Sequence, residues 1–469
     1  MKIIPHGAAR EVTGSCHEIQ VETDSGFKRI LLDCGLFMGH RQESAVKNAE
    51  FDFEPAEIDA MILSHAHADH VGRVPVLHKK GFNARIHCTY ATLDLSEVML
   101  QDSGYINEKD EEYYCKHLAK SMMECDGPLH TQQDAIDCMQ YFEGENYNEW
   151  FDVCEGIKAK FLDAGHIIGA AMVVLEIQEK GTTRHIGFSG DLGRNMLPII
   201  RDPADMPPVE ILICESTYGN REHEDIRTAK HALEEVITRT AKRGGKVLIP
   251  AFSLERTQEI VYDLHVLWDA KDIPPIPIVI DSPLATKVTG VFMKHPECYD
   301  KEMYEKFLAR AHNPFQFSLV RYTDSVDESK ALNGTPGPML IMAGSGMCEA
   351  GRIRHHLKNE IEDERNTVLA VGYMAENTLG KKVIDSEVHE VKIFDHIYKK
   401  KAETVYINAY SGHADMNDLD EFVCSTEGVK TVILVHGEEE QMSPFAERIR
   451  AACPEREVLM PERDEIIEV

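Results

Sequence analysis

Three histidines and one aspartate stand within six positions of one another, in the run His65-Ala66-His67-Ala68-Asp69-His70. Neutral imidazole nitrogens bind zinc at about 2.0 to 2.1 Å, and a second ion about 3.5 to 4 Å away needs its own ligands and a bridge. Four ligands in this register can serve both ions. A lone His-x-His is as typical of a solvated loop as of a metal site, whereas the complete run directly after a strand predicts a metal centre.

Two weaker signals follow later in the chain, each at the end of a predicted strand. His166 stands in the segment 163–169 and Asp191 in the segment 189–193, both of which contain glycine. Alone, an aspartate next to glycine is typical of a turn, and a histidine next to glycine is more often structural. Together with the first run they complete a site for two metal ions, with Asp191 as the bridging carboxylate.

Short apolar runs bounded by glycine, aspartate and proline predict the strands that position these groups. They lie at 29–33, 60–64, 172–177, 185–189 and 211–214. His65 therefore follows the carboxyl end of a buried strand, where open α/β sheets commonly bind ligands. His65 and His67 share one side of the chain if it stays extended there, and a helix is predicted to begin at Val71 and Gly72.

Hydrophobic periodicity divides the chain into three blocks. The first, 1–219, is rich in strands and contains a charged, glycine-poor stretch at about 91–150 that predicts inserted surface helices. The second, 220–403, alternates strands with helices, as 246–250 followed by 254–267 illustrates, and this alternation predicts a parallel α/β arrangement. The third, 404–469, returns to strand and helix. A chain of 469 residues exceeds the size at which single cores stop growing, so more than one domain is expected.

Composition narrows the class of protein. The formal net charge of −30 argues against nonspecific coating of nucleic acid but leaves a local basic groove open. No apolar run approaches the roughly 20 residues that span a bilayer, and residues 1–7 lack the blocks of a secretory signal. The 12 cysteines are scattered without any CxxC pair, which predicts reduced, mostly buried thiols. We therefore expect a cytoplasmic protein with no membrane partner.

In their order and separation, Asp33, the run from His65 to His70, His166 and Asp191 resemble the motifs of the metallo-β-lactamase superfamily. The resemblance implies that Asp33 supports the site without binding zinc itself. It leaves thioesters, lactams, lactones and phosphodiesters open as substrates, because a fold does not determine a function.

Segments on either side of the second block resemble the extra motifs of the β-CASP nucleases, in which a nucleic-acid-clamping domain interrupts the lactamase fold. They are Cys214-Glu215-Ser216-Thr217-Tyr218-Gly219, Tyr410-Ser411-Gly412-His413-Ala414-Asp415 and Val435-His436-Gly437-Glu438. The implied fold class is α/β, a metallo-β-lactamase αββα sandwich interrupted by an inserted β-CASP α/β domain with a parallel sheet. Segments 250–256, 281–285 and 344–347 are similar to the RNA-processing branch, which includes RNase J and the endonuclease subunit of the polyadenylation machinery.

The same resemblance implies a role for each residue. One zinc ion is held by His65, His67 and His166, the other by Asp69, His70 and His436, and Asp191 is shared. His413 is the candidate general acid and Glu215 orients and charges it, so these two join Asp69 and Asp191 as catalytic residues. His436 favours RNA, because DNA-cleaving relatives carry valine there. The expected activity is endonucleolytic hydrolysis of single-stranded RNA with two Zn²⁺ per chain, leaving 5′-phosphate and 3′-hydroxyl ends, and exonuclease activity stays open beside it.

Substrate contacts and assembly are less constrained by the sequence. Ser345 and Gly346 lie between a predicted strand and a predicted helix at 349–359, where free backbone N–H groups favour a phosphate, although a tight turn without a ligand fits as well. Ser411 and Gly412 are expected to contact substrate phosphate too. A small-molecule zinc hydrolase of the lactonase or thioesterase kind and a noncatalytic RNA-binding scaffold stay open as alternatives. Family resemblance allows a homodimer.

Overall fold

The computed structural model describes residues 1–39, 41–118, 127–310, 313–372, 374 and 377–469. Their contacts divide the chain into two compact units. The first unit comprises Met1–Asn195, Arg201–Glu222 and His413–Val469, and the second comprises Met196–Ile200 and His223–Gly412. Residues 404–412, which the sequence grouped with the returning third block, therefore belong to the second unit.

The strands are short and cover both units. In chain order they are β1 (Lys2–Gly7), β2 (Cys16–Thr23), β3 (Gly26–Leu32), β4 (Ala60–Ile62), β5 (Arg85–Thr89), β6 (Phe142–Glu145), β7 (Trp150–Cys154), β8 (Ile157–Asp163), β9 (Ala171–Glu179), β10 (Thr182–Phe188), β11 (Ile211–Glu215), β12 (Lys246–Pro250), β13 (Ile278–Ile280), β14 (Val320–Tyr322), β15 (Met339–Ala343), β16 (Thr367–Val371), β17 (Glu390–Ile393), β18 (His396–Lys399), β19 (Glu403–Ile407), β20 (Thr431–Val435), β21 (Glu457–Leu459) and β22 (Ile467–Glu468).

The helices alternate with these strands most regularly in the second unit. In chain order they are α1 (Arg41–Ala49), α2 (Ala68–Val71), α3 (Val74–Lys79), α4 (Tyr90–Leu118), α5 (Gln132–Cys138), α6 (Ile226–Lys242), α7 (Arg256–Ala270), α8 (Pro283–Lys294), α9 (Lys301–Arg310), α10 (Val326–Gly334), α11 (Ile353–Glu360), α12 (Leu379–Ile384), α13 (Met416–Ser425) and α14 (Glu439–Ala452).

The first unit is built on one large mixed sheet. Its main path among the described residues runs β21-β20-β11-β10-β9-β2-β3-β4-β5-β6, and β1, β7, β8 and β22 pair beside that path. Strands β3 to β6 pair in parallel, as do β10, β11, β20 and β21. Strands of both parallel sets contribute to a single core, which contains Ile30 and Ile62 from one set and Ile213 and Ile433 from the other. The sheet therefore folds over a shared apolar layer.

The strand at 60–62 shows why this sheet is buried on both faces. Ala60 and Ile62 point into the shared core, whereas Met61 and Leu63 pack in a second cluster with Val74 of α3. Side chains alternate between the faces of a strand, and a continuous apolar run therefore fills both layers. This double burial fixes the position of the residues that follow the strand.

Polar residues of the predicted site lie at the carboxyl ends of these strands. Asp33 directly follows β3, Glu215 is the last residue of β11, and His436 directly follows β20. His65 comes three residues after the end of β4, and Asp191 comes three residues after the end of β10. Parallel neighbours end at the same edge of a sheet, so the two parallel sets each deliver their polar residues to one edge.

Two local features differ from the predictions. The helix predicted to begin at Val71 instead spans Ala68–Val71, so Asp69 and His70 are themselves helical. The stretch predicted as inserted helices at about 91–150 contains α4 and α5, and then the strand β6, which pairs in parallel with β5. Residues 119–126 of that stretch lie outside the described residues. An added strand satisfies backbone groups that the edge of β5 would otherwise expose.

The cysteines agree only in part with the predicted reduced state. In the described part of the chain most of them are free and buried, Cys16, Cys34 and Cys214 among them, whereas Cys115 is disulfide-bonded. Sequence spacing does not identify a disulfide without the geometry of its two cysteines.

The second unit carries a parallel sheet of six described strands in the order β14-β13-β15-β12-β16-β19. Its centre is apolar, with Leu248, Ile341 and Val368 in one cluster that α11 and α12 cover. Strands β17 and β18 form a separate antiparallel hairpin. This alternation of strands and helices is the parallel α/β arrangement that the second block predicted. Among the described residues, no helix is both long and apolar enough to cross a membrane.

Candidate active site

Asp33 holds the residues around it in place through hydrogen bonds. It is fully buried, and its φ of 62° is a left-handed conformation that residues other than glycine rarely adopt. Ser64 donates its backbone N–H to Asp33 Oδ1 at 2.8 Å and its hydroxyl to Oδ2 at 2.9 Å. The Ser15 hydroxyl donates to the same Oδ2 at 3.0 Å, and His70 Nδ1 lies 2.7 Å from it. Asp33 thus holds the His70 ring with Nε2 directed away from the carboxylate.

Ser64 sets the orientation of a second imidazole. Its hydroxyl has one proton, which it gives to Asp33, and His65 Nδ1 lies 3.0 Å from the same oxygen. His65 Nδ1 must therefore be the donor in that contact, which leaves a lone pair on Nε2. A ring fixed in this way is the usual arrangement of a metal-binding histidine.

Four side chains converge in a first group. His65 Nε2 and His166 Nε2 lie 3.0 and 3.1 Å from His67 Nδ1, and each lies 3.5 Å from Asp191 Oδ2. Ligands at about 2.0 to 2.1 Å from a tetrahedral ion lie roughly 3.4 Å from one another. The group has the size and the nitrogen and oxygen donors that a zinc ion requires.

A second group shares the same aspartate. His70 Nε2 lies 3.1 Å from Asp191 Oδ1 and 3.2 Å from His436 Nε2. His436 Nε2 lies 3.6 Å from Asp69 Oδ2 and 3.7 Å from Asp191 Oδ1. Asp69, His70 and His436 also offer ligand atoms that all lie within 4.8 Å of one another. Each oxygen of Asp191 therefore faces a different group.

The chemistry of these donors fits bound cations. Asp191 is 2% exposed, and its Oδ1 accepts no hydrogen bond of good geometry from the described residues. Burying an ionised oxygen without a partner is costly. Burial raises the pKa of Asp191, but His436 and His70 hold it well below its usual range, so the carboxylate stays ionised. A cation between the carboxylate and the imidazoles removes this cost.

The protonation states point the same way. Burial lowers the pKa of His65 well below its usual value and lowers that of His67 to about 4, so both rings are neutral ligands at cellular pH. Burial also lowers the pKa of His70, but Asp191 and Asp33 outweigh it and raise the pKa well above its usual value. A proton on His70 places positive charge beside the carboxylates of Asp33 and Asp191, as a bound cation would.

His413 stands beside both groups, with a partly exposed side chain. Its Nδ1 lies 3.2 Å from Glu215 Oε1 and 3.9 Å from Asp191 Oδ2, and its ring centroid lies 4.5 Å from that of His166. Burial lowers the pKa of His413, but the charges of Glu215 and Asp191 raise it to about 9. Glu215 is fully buried and is held in turn by the Leu192 N–H, 2.5 Å from Oε1. The carboxylates of Glu215 and Asp191 thus favour the protonated form of an imidazole that lies next to the metal-binding groups.

The structure brings all the predicted metal ligands together with His413 and Glu215 in the first unit. The four predicted phosphate-contacting residues, Ser345, Gly346, Ser411 and Gly412, all belong to the second unit. Ser345 does not precede a helix directly, because α11 begins only at Ile353. Its N–H donates to Ala350 O at 3.2 Å, so that amide is not free for a phosphate. No helix terminus therefore lies directly behind Ser345 and Gly346, and substrate contact by the four residues stays a prediction.

Three supporting hydroxyl residues were missed from the sequence. Ser15 and Ser64 bind Asp33, and the Thr217 hydroxyl lies 3.1 Å from His436 Nδ1. Ser64 directly precedes His65, and Thr217 stands two residues after Glu215. A serine or threonine next to a ligand at a strand end is the signal that could have identified these two. Ser15 carries no such signal.

Family models match three stretches of the chain. Residues 19–103 match the metallo-beta-lactamase superfamily, residues 257–383 match the Beta-Casp domain, and residues 397–461 match the Zn-dependent metallo-hydrolase RNA specificity domain. The first match includes the histidine run and the third includes His413 and His436. The second lies within the second unit.

Similar proteins cover nearly the whole chain. A ribonuclease of Thermus thermophilus is 36% identical over 442 residues, which are 94% of this chain and 94% of the relative. The transcription termination factor FttA of Methanocaldococcus jannaschii is 30% identical over 456 residues, 95% of this chain and 68% of the relative. An RNase J-like protein of the same organism is 30% identical over 449 residues, 94% of this chain and 93% of the relative.

Proposed function

The chain belongs to the β-CASP family of the metallo-β-lactamase superfamily, and on that premise we propose that it is a zinc-dependent ribonuclease that hydrolyses phosphodiester bonds of single-stranded RNA. The family and the fold class predicted from the sequence are thereby confirmed. Relatives named as ribonucleases support the substrate class, because they match along almost the full length of this chain.

Asp191 is the observation that carries the proposal. Its two oxygens face two separate groups of ligands, and one of them has no hydrogen-bond donor in the described residues. His65, His67 and His166 would hold one Zn²⁺ together with Asp191, and Asp69, His70 and His436 would hold a second beside the same carboxylate. Zinc bound there would lower the pKa of water toward neutrality and neutralise charge that develops on the phosphate.

His413 supplies the proton that hydrolysis needs. The oxygen that leaves the phosphorus must be protonated, and His413 is both charged and partly exposed beside the two groups. Glu215 holds the ring through Nδ1, so Nε2 carries the proton that is donated. The nucleophile is water rather than the RNA 2′-hydroxyl, and the products carry 5′-phosphate and 3′-hydroxyl ends.

The first test compares two histidine variants on end-labelled single-stranded RNA. His65→Ala removes a ligand, so both the zinc content and the cleavage rate should fall. His413→Ala removes the proton donor, so the rate should fall roughly 10²- to 10⁴-fold while two zinc ions per chain remain. Zinc is measured by elemental analysis of the purified protein. His185→Ala is a matched control, because this half-buried histidine of β10 lies outside the two ligand groups.

The alternatives give different results in the same assay. Zinc-dependent hydrolysis of a lactone or thioester with intact RNA would identify a small-molecule hydrolase. RNA binding without turnover by the zinc-loaded protein would identify a noncatalytic scaffold. Either result overturns the proposal, as does a His413→Ala variant that cleaves RNA at the unchanged rate.

The mode of cleavage is tested on a circular RNA. We propose endonucleolytic cleavage. An endonuclease can cut a circular RNA, whereas an exonuclease cannot, because a circle has no free end at which to start. The new termini are identified by enzymes that require a 5′-phosphate or a 3′-hydroxyl. Stable circles in the presence of active enzyme would contradict endonucleolytic cleavage and leave an exonuclease.

Location and assembly complete the proposal. A cytoplasmic protein fits the ribonuclease names of the relatives and the expectation from the sequence, and microscopy of a tagged chain tests it. A homodimer is proposed on family resemblance, and light scattering of the purified protein measures the mass that decides it.

A further inference from the structure

His436 is held in an unfavourable backbone conformation. Its φ of 51° lies in the left-handed region, which only a few per cent of residues other than glycine adopt. Its N–H donates to Ala8 O at 2.7 Å, and its carbonyl accepts from Ser216 N at 3.3 Å and from the Thr217 hydroxyl at 3.1 Å. Surrounding hydrogen bonds must overcome such strain if the conformation is to persist.

The hydrogen bonds of the Thr217 hydroxyl determine which ring nitrogen of His436 carries the hydrogen. The hydroxyl gives its one proton to the His436 carbonyl, and the same oxygen lies 3.1 Å from His436 Nδ1. Nδ1 must therefore carry the hydrogen in that contact, and Nε2 must carry the lone pair. Nε2 is the nitrogen that faces Asp69 and Asp191.

Two other ligands are fixed in the same way. His65 Nδ1 donates to the Ser64 hydroxyl, and His70 Nδ1 donates to Asp33. In each case an oxygen behind the ring sets which nitrogen faces the metal-binding group, and such partners typically change metal affinity when they are lost.

We propose that Thr217 is a positioning residue that holds His436 in the tautomer and ring orientation required by the second metal group. The inference rests on the proposed function, since it concerns the second of the two proposed zinc ions. Thr217 touches no ligand atom itself. It acts on both the backbone and the ring of His436 through one hydroxyl.

The test measures stepwise zinc affinity by titration of the metal-free full chain against a chromogenic chelator. Thr217→Val keeps the shape of the side chain and removes the hydroxyl, so the affinity for one of the two zinc ions should fall roughly 10- to 100-fold. The affinity for the other ion should stay as in the wild type. Thr217→Ser restores the hydroxyl and should restore the affinity.

A matched control separates positioning from general destabilisation. Thr426 is buried in the same unit and also donates its hydroxyl to a backbone carbonyl, that of Phe422 at 2.8 Å. Thr426→Val should lower the unfolding temperature without changing either zinc affinity. If Thr217→Val does not fold, Thr217→Ala is measured in its place, with the unfolding temperature recorded for every variant.

Failure of the inference differs from failure of the proposed function. Wild-type affinities for both ions in Thr217→Val or Thr217→Ala would overturn the role of Thr217, whatever the activity on RNA. Equal loss of both affinities, or loss in Thr426→Val as well, would also overturn it. A wild-type chain that binds two zinc ions and leaves RNA intact would contradict the ribonuclease proposal, while the zinc titration of the variants would still decide the role of Thr217.

Discussion

Two buried aspartates, one in each unit, are built into closely similar networks. Asp33 follows β3 and Asp281 follows β13, and neither is exposed to solvent. Asp33 binds the hydroxyls of Ser15 and Ser64 and the imidazole of His70. Asp281 binds the hydroxyls of Thr323 and Ser329 and the imidazole of His356, whose Nε2 lies 2.6 Å from it.

The networks differ in what lies on the far side of the imidazole. His356 Nδ1 lies 3.2 Å from Asn333 Oδ1, and Arg352 donates to Asp281 at 2.7 Å, so this network is neutralised and closed. His70 Nε2 instead faces Asp191 Oδ1, which accepts no hydrogen bond in the described residues. An aspartate-histidine pair at a strand end is therefore no sign of a metal site by itself. The difference lies in the partner of the second ring nitrogen. In the closed network, that of Asp281 and His356, this nitrogen faces an amide oxygen, and in the open network, that of Asp33 and His70, it faces the Asp191 oxygen that accepts no hydrogen bond in the described residues.

Loss of the shared carboxylate should have the largest effect, because it disables the open network at its centre. Asp191→Asn removes one charged ligand from both metal groups. Electrostatic stabilisation by metals is worth several kcal/mol, so the rate of RNA cleavage should fall on the order of 10³- to 10⁴-fold. Zinc content and kcat/KM are measured together. A variant with two zinc ions and nearly normal activity would contradict the bridging role.

A change in the closed network should lower the free energy of unfolding and leave metal binding unaffected. Asp281→Asn leaves Arg352 without its buried counterion and should lower the free energy of unfolding by about 3 kcal/mol. Zinc content should not change. Chemical denaturation measures the loss, and Asp327→Asn on the exposed start of α10 is the control, for which little change is expected. Loss of zinc in Asp281→Asn with unchanged stability would remove the distinction between the two networks.

Asp33→Asn is the corresponding change in the open network. It weakens the hold on His70 Nδ1, so zinc affinity should fall roughly 10- to 100-fold. The chain should still fold, because an amide keeps the shape of the side chain. Isothermal titration with zinc measures the effect. Unchanged affinity together with a large loss of stability would show that Asp33 behaves like Asp281.

The smallest expected effect is the pH dependence of the stability that Asp281 contributes. Burial raises the pKa of Asp281, but hydrogen bonds from His356 and Ser329 hold it well below its usual 3.8. A carboxylate whose pKa is lower in the folded state stabilises the fold above pH 3.8, and that contribution disappears as the pH falls below this value. The stability gap between the wild type and Asp281→Asn should therefore narrow below about pH 4, as denaturation at several pH values measures. A constant gap would rule out this linkage.

The residues predicted as metal ligands are encoded locally, and the structure brings their side chains together. The run from His65 to His70 follows an apolar strand, and His436 directly follows another, so strand prediction also locates the ligands. Ser15 was not predicted, because no local signal links it to Asp33, 18 residues later, and only the folded sheet brings the two together. Thr217 stands two residues after Glu215, but its contact with His436, 219 residues later, forms only in the folded sheet.

Loops account for the other differences between sequence and structure. The helix predicted to begin at residue 349 begins at Ile353, because Ser345 and Ala350 hydrogen-bond to each other within the preceding loop. Arg352, which the sequence placed in that helix, instead stands at the N-cap position before it and donates to Asp281. Periodicity cannot detect a loop that satisfies its own backbone groups. The parallel α/β character of the second block was predicted, since apolar strands alternate with helices there, but its last strand, β19 at Glu403–Ile407, was assigned to the third block.

The parallel pairing of β11 with β20 has a consequence for protein synthesis. His70 and His436 are 366 residues apart in the chain, and His436 reaches the site only when β20 has joined β11. A ribosome must release residue 436 before the second metal group can exist. Until then the nascent chain lacks His436, one of the proposed ligands, so the proposed two-metal centre is incomplete.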